Sequence, residues 1–166
     1  MNNLHDSPEL NDYPYWYFVI SFSNYDGDSI NIIAYKTWDF GFEEKVSKFS
    51  PINVRLYGID TPELRGGTVE SKAAGKLAKD KVWNWLNRLW DLDRLVFESQ
   101  EYKKGKFGRA LGDFRDIETG ASLNKYLLEN RLAVKYHGQS KDDIKQFHQN
   151  NLDYLLSENK LTDYLP

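Results

Sequence analysis

The sequence contains no cysteine, which excludes disulfides and thiolate-bound metals and is compatible with a reducing compartment. It has no apolar run near the roughly 18 residues that a membrane span requires. Its first 13 residues are polar and acidic, unlike a secretory signal peptide. We therefore predict a cytoplasmic protein without membrane association, and a phage-encoded protein acting inside its host cell fits the same pattern. No obligate protein partner is indicated.

Basic charge is also scarce. The net charge is -3, which argues weakly against nucleic acid as a partner, because phosphate backbones attract Lys and Arg. Three N-terminal acids, Asp6, Glu9 and Asp12, account for this net negative charge, so the rest of the chain is formally neutral. Residues 64–110 carry 11 Lys or Arg against 6 Asp or Glu, a local excess of +5. That excess fits either a nucleic-acid-binding face or a solvated helix surface.

Apolar residues are plentiful, at 40% of the 166 residues, and predict one folded domain over residues 14–166 after a flexible acidic tail, residues 1–13. Alternating patterns predict five strands, at residues 13–22, 29–35, 52–57, 94–100 and 109–116. Helical spacing predicts helices at residues 68–90 and 122–129, and a third from Ser140 with Phe147 and Leu156 on its apolar stripe. Five strands with a helix after the third indicate an α+β fold, a five-stranded OB-type Greek-key barrel.

Two connecting segments complete this prediction. Residues 36–50 are predicted to be a long hairpin connection, which either widens a binding groove or covers the barrel edge, the second being favoured. Residues 58–67 are predicted to be a loop, because Pro62 and the pair Gly66 and Gly67 interrupt regular structure.

The acidic turn DGDS, residues 26–29, is the first of four clusters that could carry chemistry. Its carboxylates could hold a hard cation such as Ca²⁺, which takes several oxygen ligands. An EF-hand is excluded, because the sixth position from Asp26 is Asn31 and the twelfth is Thr37. Taken alone, the turn is equally a hairpin whose Asp and Gly serve the backbone.

The second cluster lies at the end of the third predicted strand and in the loop after it. It places Arg55, Asp60, Thr61 and Glu63 within nine residues, and functional side chains concentrate on such loops. The alternative is a surface strand followed by a helix N-terminus, which the order Thr-Pro-Glu also fits.

Two further clusters could bind nucleic acid. Residues 103–109, KKGKFGR, form a basic, glycine-rich turn that could grip phosphate, or a solvated hairpin. In residues 135–138, KYHG, the pair Tyr136 and His137 could stack on a base or bind phosphate, or the segment could be an extended exit from the short helix. The four clusters together supply the groups that phosphodiester hydrolysis needs: carboxylates for a cation, a carboxylate to take a proton from water, and positive charge for the phosphorus centre. Arginine suits the last role because its planar fork donates two hydrogen bonds.

These segments resemble the staphylococcal nuclease (thermonuclease) family. The matching segments are DGDS at residues 26–29, VRLYGIDTPE at 54–63, KFGRALG at 106–112, LNKYLL at 123–128 and LA at 132–133. They occur in the order found in the family and extend over residues 15–136. The resemblance implies an OB-fold endonuclease that hydrolyses DNA and/or RNA with Ca²⁺.

The resemblance also implies a role for individual residues. The metal would be held by the carboxylates of Asp28 and Asp60 and by the carbonyl of Thr61. Glu63 would orient or deprotonate the attacking water. Arg55 and Arg109 would bind the scissile phosphate and stabilise the transition state. Substrate binding would fall to Lys106, Phe107 and Tyr136.

The sequence departs from the family pattern in three places. Phe107 stands where the family often has tyrosine, so a phosphate-binding hydroxyl is absent. Ser29 replaces a threonine, and Tyr136 would take the place of a base-stacking tyrosine although His137 has no clear counterpart. The competing hypothesis is a non-catalytic OB-fold nucleic-acid-binding domain. Degenerate members of the family lose the carboxylates and arginines, and this chain keeps them.

Overall fold

The computed structural model describes residues 15–39, 41, 44–104 and 108–166, without the side chains of residues 39 and 101–104. The predicted tail, residues 1–13, lies outside the described residues. The helices are α1 (Val69–Asp91), α2 (Leu123–Glu129) and α3 (Lys141–Ser157), with a final 3-10 turn at Thr162–Tyr164. The strands are β1 (Trp16–Asn24), β2 (Ser29–Asp39), β3 (Lys45–Leu56), β4 (Ile59–Asp60), β5 (Leu95–Lys104), β6 (Ala110–Asp116) and β7 (Val134–Lys135).

Five of these strands form a closed barrel in the order β1-β2-β3-β6-β5, with β5 returning to pair with β1. All pairs are antiparallel except β3 with β6, which is parallel and begins at Val54 opposite Ala110. On β2, Ile30, Ile32 and Ala34 are buried while Asn31 and Ile33 are exposed, as expected for a half-buried strand. The predicted OB-type barrel with helices is confirmed.

Helix α1 begins where the sequence predicts. The Thr68 hydroxyl caps it by accepting the Ser71 N–H at 3.2 Å. The whole predicted apolar face is buried and joins the core with the barrel interior: Ala74, Leu77, Ala78, Val82, Trp85, Leu86 and Leu89. Burying this stripe, more than helix propensity, stabilises the helix.

Helix α3 begins with a capping box, at the residue where the sequence predicts its start. Ser140 accepts the Asp143 N–H at 3.2 Å, and the Asp143 carboxylate accepts the Ser140 N–H at 3.0 Å. Its inner face is narrower than predicted, because Phe147 and Leu156 are exposed. The helix lies at the periphery of the molecule and buries only Ile144 and Leu155 completely.

One prediction about a connecting segment is wrong, and another is correct at residues 61–67 but missed a two-residue strand before them. Residues 36–50 are mostly strand, because β2 and β3 continue past the barrel in register as far as Asp39 opposite Lys45. Cross-strand pairs such as Tyr35 with Phe49 and Trp38 with Val46 favour this extension. The predicted loop at residues 58–67 begins with β4, which pairs with β7. Among the described helices, none has the length and apolarity needed to cross a membrane.

Candidate active site

The turn between β1 and β2 places Asp28 inside the protein, with 2% of its surface exposed. The Asp26 side chain shapes this turn by accepting the N–H groups of Asp28 at 3.1 Å and Ser29 at 2.8 Å. A Cβ atom at Gly27 would lie 2.8 Å from the Thr61 hydroxyl oxygen, so only glycine fits there. Asp26 and Gly27 therefore set the backbone conformation of the acidic turn, and this conformation places the Asp28 carboxylate next to Thr61.

Arg55 joins two of the predicted metal ligands. It lies on β3 directly opposite Ser29 of β2, at the end of the sheet nearest the acidic turn. One terminal nitrogen of its guanidinium contacts Asp28, and the other lies 2.9 Å from Asp60 Oδ1. The two carboxylates therefore share one cation.

Asp60 is held by the pairing of β4 with β7, opposite Val134, and is 3% exposed. Besides Arg55, it contacts two side chains of α3. Lys141 Nζ lies 2.6 Å from Oδ1, and His148 Nε2 lies 2.9 Å from Oδ2. Both oxygens of this carboxylate are thus engaged.

Thr61 and Glu63 follow at once. Thr61 is buried, and its N–H donates to Asp28 Oδ2 at 3.1 Å. The backbone at Glu63 packs so closely on α1 that a Cβ at Gly75 would lie 2.8 Å from the Glu63 carbonyl oxygen. The Glu63 side chain is exposed, 3.6 Å from Lys141 Nζ. The backbone at Glu63 is therefore closely packed, while the Glu63 carboxylate is accessible to solvent beside the Asp60 cluster.

The remaining predicted residues differ in how the structure places them. Arg109 directly precedes β6, whose first residue pairs with Val54, so its backbone is next to the strand that carries Arg55. Tyr136 follows β7, donates its N–H to the Gly58 carbonyl at 2.9 Å, and has Lys141 Nζ 5.6 Å from its ring centre. Lys106 and Phe107 lie outside the described residues.

The pKa values of the two buried carboxylates, Asp28 and Asp60, are shifted in opposite directions. Burial raises the pKa of Asp28 to about 7, and the neighbouring charges of Asp26 and Asp60 act in the same direction, against Arg55. Burial also opposes ionisation of Asp60, but hydrogen bonds from His148 and Lys141 and the charge of Arg55 outweigh it and lower the pKa to about 2. Negative charge at Asp28 is therefore less well compensated than at Asp60, and such perturbed pKa values are common at functional sites.

Sequence reasoning missed Lys141 and His148. They are seven residues apart, two turns of α3, and they flank Ile144 on the face that the helix turns toward the protein. The available signal is this mixed stripe, in which a lysine and a histidine share a face with buried apolar residues. Only the fold shows that the face meets Asp60, 88 residues earlier in the chain.

The oxygen atoms of Asp28, Asp60 and Thr61 are of the kind that a hard divalent cation binds. The carboxylates of Asp28 and Asp60 and the carbonyl of Thr61 are oxygen donors of the type that Ca²⁺ takes, and water would have to complete its six to eight ligands. Among the described residues no cluster of three or more His, Cys, Asp or Glu side chains is arranged to hold a metal. Lys141 already neutralises part of the same charge, so a cation bound to Asp60 would compete with it.

A scan of the sequence against protein-family models finds no match, and a search of curated proteins also finds none.

Proposed function

We propose that this protein is a Ca²⁺-dependent endonuclease that hydrolyses phosphodiester bonds of DNA and/or RNA, and that it belongs to the staphylococcal nuclease family. The observation that supports it most is the bridge that Arg55 makes between Asp28 and Asp60, with Thr61 and Glu63 adjoining. Turn, strand and loop segments that are separate in the sequence meet there on one side of an OB-type barrel.

The arginines would act on the phosphate. Arg55 lies on the outer face of β3 with 21% of its side chain exposed, so a phosphate oxygen could reach a guanidinium that is already oriented by two carboxylates. Arg109, which directly precedes the neighbouring strand β6, would supply the second fork. Positive charge fixed before the reaction stabilises the developing charge on phosphorus without later reorganisation.

Glu63 would handle the water. Its carboxylate is solvent-accessible, so it can accept a proton from a water placed next to the scissile phosphate and release that proton to solvent. Bound Ca²⁺ would supply charge neutralisation and Lewis-acid polarisation at the phosphate. Asp28, Asp60 and the Thr61 carbonyl would hold it there.

A direct assay tests the proposal. Plasmid DNA, single-stranded DNA and RNA are incubated with the protein in Ca²⁺ and, separately, in EDTA. We expect cleavage in Ca²⁺ and none in EDTA. Glu63→Gln should lower the turnover rate at least about a hundredfold, the size of a general-base contribution.

The matched control is Glu129→Gln, another exposed glutamate, which pairs with Lys125 one helical turn away on α2. This variant should cleave at the wild-type rate. A folded protein that binds nucleic acid but cleaves none of the three substrates in Ca²⁺ would contradict the proposal and favour the non-catalytic OB-fold domain.

A further inference from the structure

A cavity of about 440 Å³ lies next to the candidate active site, between α3, the first turns of α1 and the segment that follows β4. Asp60, Glu63 and Lys141 belong both to its wall and to the cluster described above. A ligand in the cavity would therefore adjoin whatever occupies the position between Arg55 and Glu63. Tyr136 is not part of the wall, so the cavity is separate from the predicted stacking position.

The inner surface of the cavity is apolar. Ile144, Leu152 and Leu155 line it from α3, and Ala74 lines it from α1. Cavities of 300–1,000 Å³ with a mainly apolar lining and a few polar groups are typical of small-molecule sites. The volume and the lining suit a flat ring system with polar edges.

The exposed charged residues that line the cavity form its mouth. They are four cations, Arg65, Arg131, Lys141 and Lys145, and two carboxylates, Glu63 and Asp142, so the mouth has a net charge of +2. Arg65 and Arg131 lie over the rings of Tyr25 and Tyr154, at 5.9 Å and 4.9 Å from the ring centres. Within the described parts of the chain none of Arg65, Arg131 and Lys145 makes an ion pair, unlike Lys141. Their charge is available to an anion, and an arginine oriented by a ring can offer its fork to phosphate.

We infer that this cavity is a second nucleotide subsite, which takes the base of the nucleotide next to the scissile phosphate and holds the adjoining phosphate on Arg65, Arg131 and Lys145. The inference rests on the proposed function, since it assumes that the scissile phosphate lies at Arg55. An apolar interior, an anion-binding mouth and a shared wall with the reacting groups match a base, a phosphate and the linkage between them. A free carboxylate or peptide ligand would not need all three.

Binding is measured first, in EDTA so that no turnover occurs. Deoxyadenosine 5′-monophosphate, deoxyadenosine and inorganic phosphate are titrated separately into methyl-labelled protein and followed by NMR. We expect the nucleotide to shift the methyl signals of Ile144, Leu152 and Leu155 saturably, deoxyadenosine to do so more weakly, and phosphate to leave them in place. Phosphate shifting these signals as strongly as the nucleotide, or all three probes leaving them in place, would overturn the subsite.

Variants connect the cavity to turnover. Lys145→Glu reverses one charge at the mouth, and we expect KM for an oligonucleotide to rise about tenfold, with the larger change in KM rather than in kcat, as the loss of one charge-assisted contact predicts. Leu152→Trp, which fills the cavity, should abolish the nucleotide-induced shifts of Ile144. Lys76→Glu, an exposed lysine of α1 outside the cavity wall, is the charge-matched control and should change neither constant.

The outcomes separate the two proposals. Methyl shifts without Ca²⁺-dependent cleavage would support the subsite and contradict the nuclease. Cleavage at wild-type KM in Lys145→Glu, with no nucleotide-induced shifts in the unmodified protein, would leave the nuclease standing and overturn the subsite.

Discussion

Asp116 and Asp28 are both buried aspartates that pair with an arginine, and they differ in almost every other respect. Asp116, at the end of β6, accepts two hydrogen bonds from Arg94, one from the Glu118 N–H at 3.0 Å and one from the Thr119 hydroxyl at 2.7 Å. Burial opposes its ionisation, but these bonds outweigh burial and lower its pKa to about 2. Asp28 shares Arg55 with Asp60, and its pKa is raised by burial to about 7.

The difference distinguishes Asp28 from a carboxylate in a structural ion pair, whereas Asp60, the other buried carboxylate of the candidate site, resembles Asp116 in its lowered pKa. Around Asp116 the donors come from the turn that the carboxylate closes and from Arg94, which directly precedes β5, so the pair completes the fold at this end of the β5–β6 pair. Around Asp28 the nearest additional charges are two more carboxylates. A residue that folding leaves electrostatically unfavourable points to a function that uses it, because active sites commonly retain groups that reduce stability.

The largest expected effect is on the rate of cleavage, which should differ between variants of Arg55 and variants of Arg94. Arg55→Gln removes the cation between the carboxylates and should reduce Ca²⁺-dependent cleavage at least about a hundredfold, the size of an electrostatic contribution at a reacting phosphate. Arg109→Ala should reduce Ca²⁺-dependent cleavage to a similar extent. Arg94→Gln should retain wild-type turnover, measured on protein shown to be folded by circular dichroism. Equal losses in the Arg94 and Arg55 variants would remove the distinction.

The next effect concerns stability in EDTA at pH 8. Asp116→Asn should lower the free energy of unfolding by about 2 kcal/mol, since it weakens charge-assisted hydrogen bonds in a buried position. Asp28→Asn should lower it by much less or raise it, because a carboxylate that is costly to bury becomes neutral. Urea unfolding measures both. The comparison fails if Asp28→Asn is as destabilising as Asp116→Asn.

The pH dependence should have opposite signs in the two regions. The pKa of Asp116 is lower in the folded protein, so its stabilisation is complete above about pH 4 and is lost as the pH falls toward 2. The pKa of Asp28 is higher in the folded protein, so its cost is complete above about pH 7 and is relieved as the pH falls toward 4. Unfolding free energies of the wild type, Asp116→Asn and Asp28→Asn from pH 3 to pH 9 in EDTA provide the test.

The smallest effect concerns Lys141 and the metal. Lys141→Met removes a competing cation from Asp60, so the affinity for Ca²⁺ should rise about threefold, in keeping with an ion pair whose lysine is more than half exposed. Isothermal titration calorimetry gives the dissociation constant independently of turnover. Lys125→Met, at an exposed lysine paired with Glu129 on α2, is the control and should leave the affinity unchanged. Weaker Ca²⁺ binding in Lys141→Met would show that Lys141 supports the metal site.

Local sequence patterns predict the barrel half of the site well. Alternation predicts the strand that carries Arg55, and the Asp-Gly turn and the Thr68 cap predict how the chain bends on either side of it. These features depend on neighbours within a few residues. The Arg55 bridge between Asp28 and Asp60 needs only the β2–β3 pairing in addition.

The α3 half of the site could not be predicted in the same way. Lys141 and His148 read as solvated residues of an amphipathic helix, and their contact with Asp60 depends on how α3 packs against the finished barrel. The extent of β2 and β3 was also underestimated, because Lys36, Lys45 and Lys48 weaken the apolar pattern of strands that in fact pair from end to end. Charged residues are tolerated there since cross-strand contacts outweigh individual propensities.

The sequence distances within the site have a consequence for the order in which it assembles. Arg55 meets Asp60 across 5 residues and Asp28 across 27, whereas His148 meets Asp60 across 88. Loop-closure entropy increases with such distances, so contacts made within the nascent barrel should precede those made by α3. During synthesis the carboxylates would meet their arginine while the last helix is still unmade. The part of the cavity wall that α3 supplies, including Lys141 and Lys145, would then be the final part of the molecule to form.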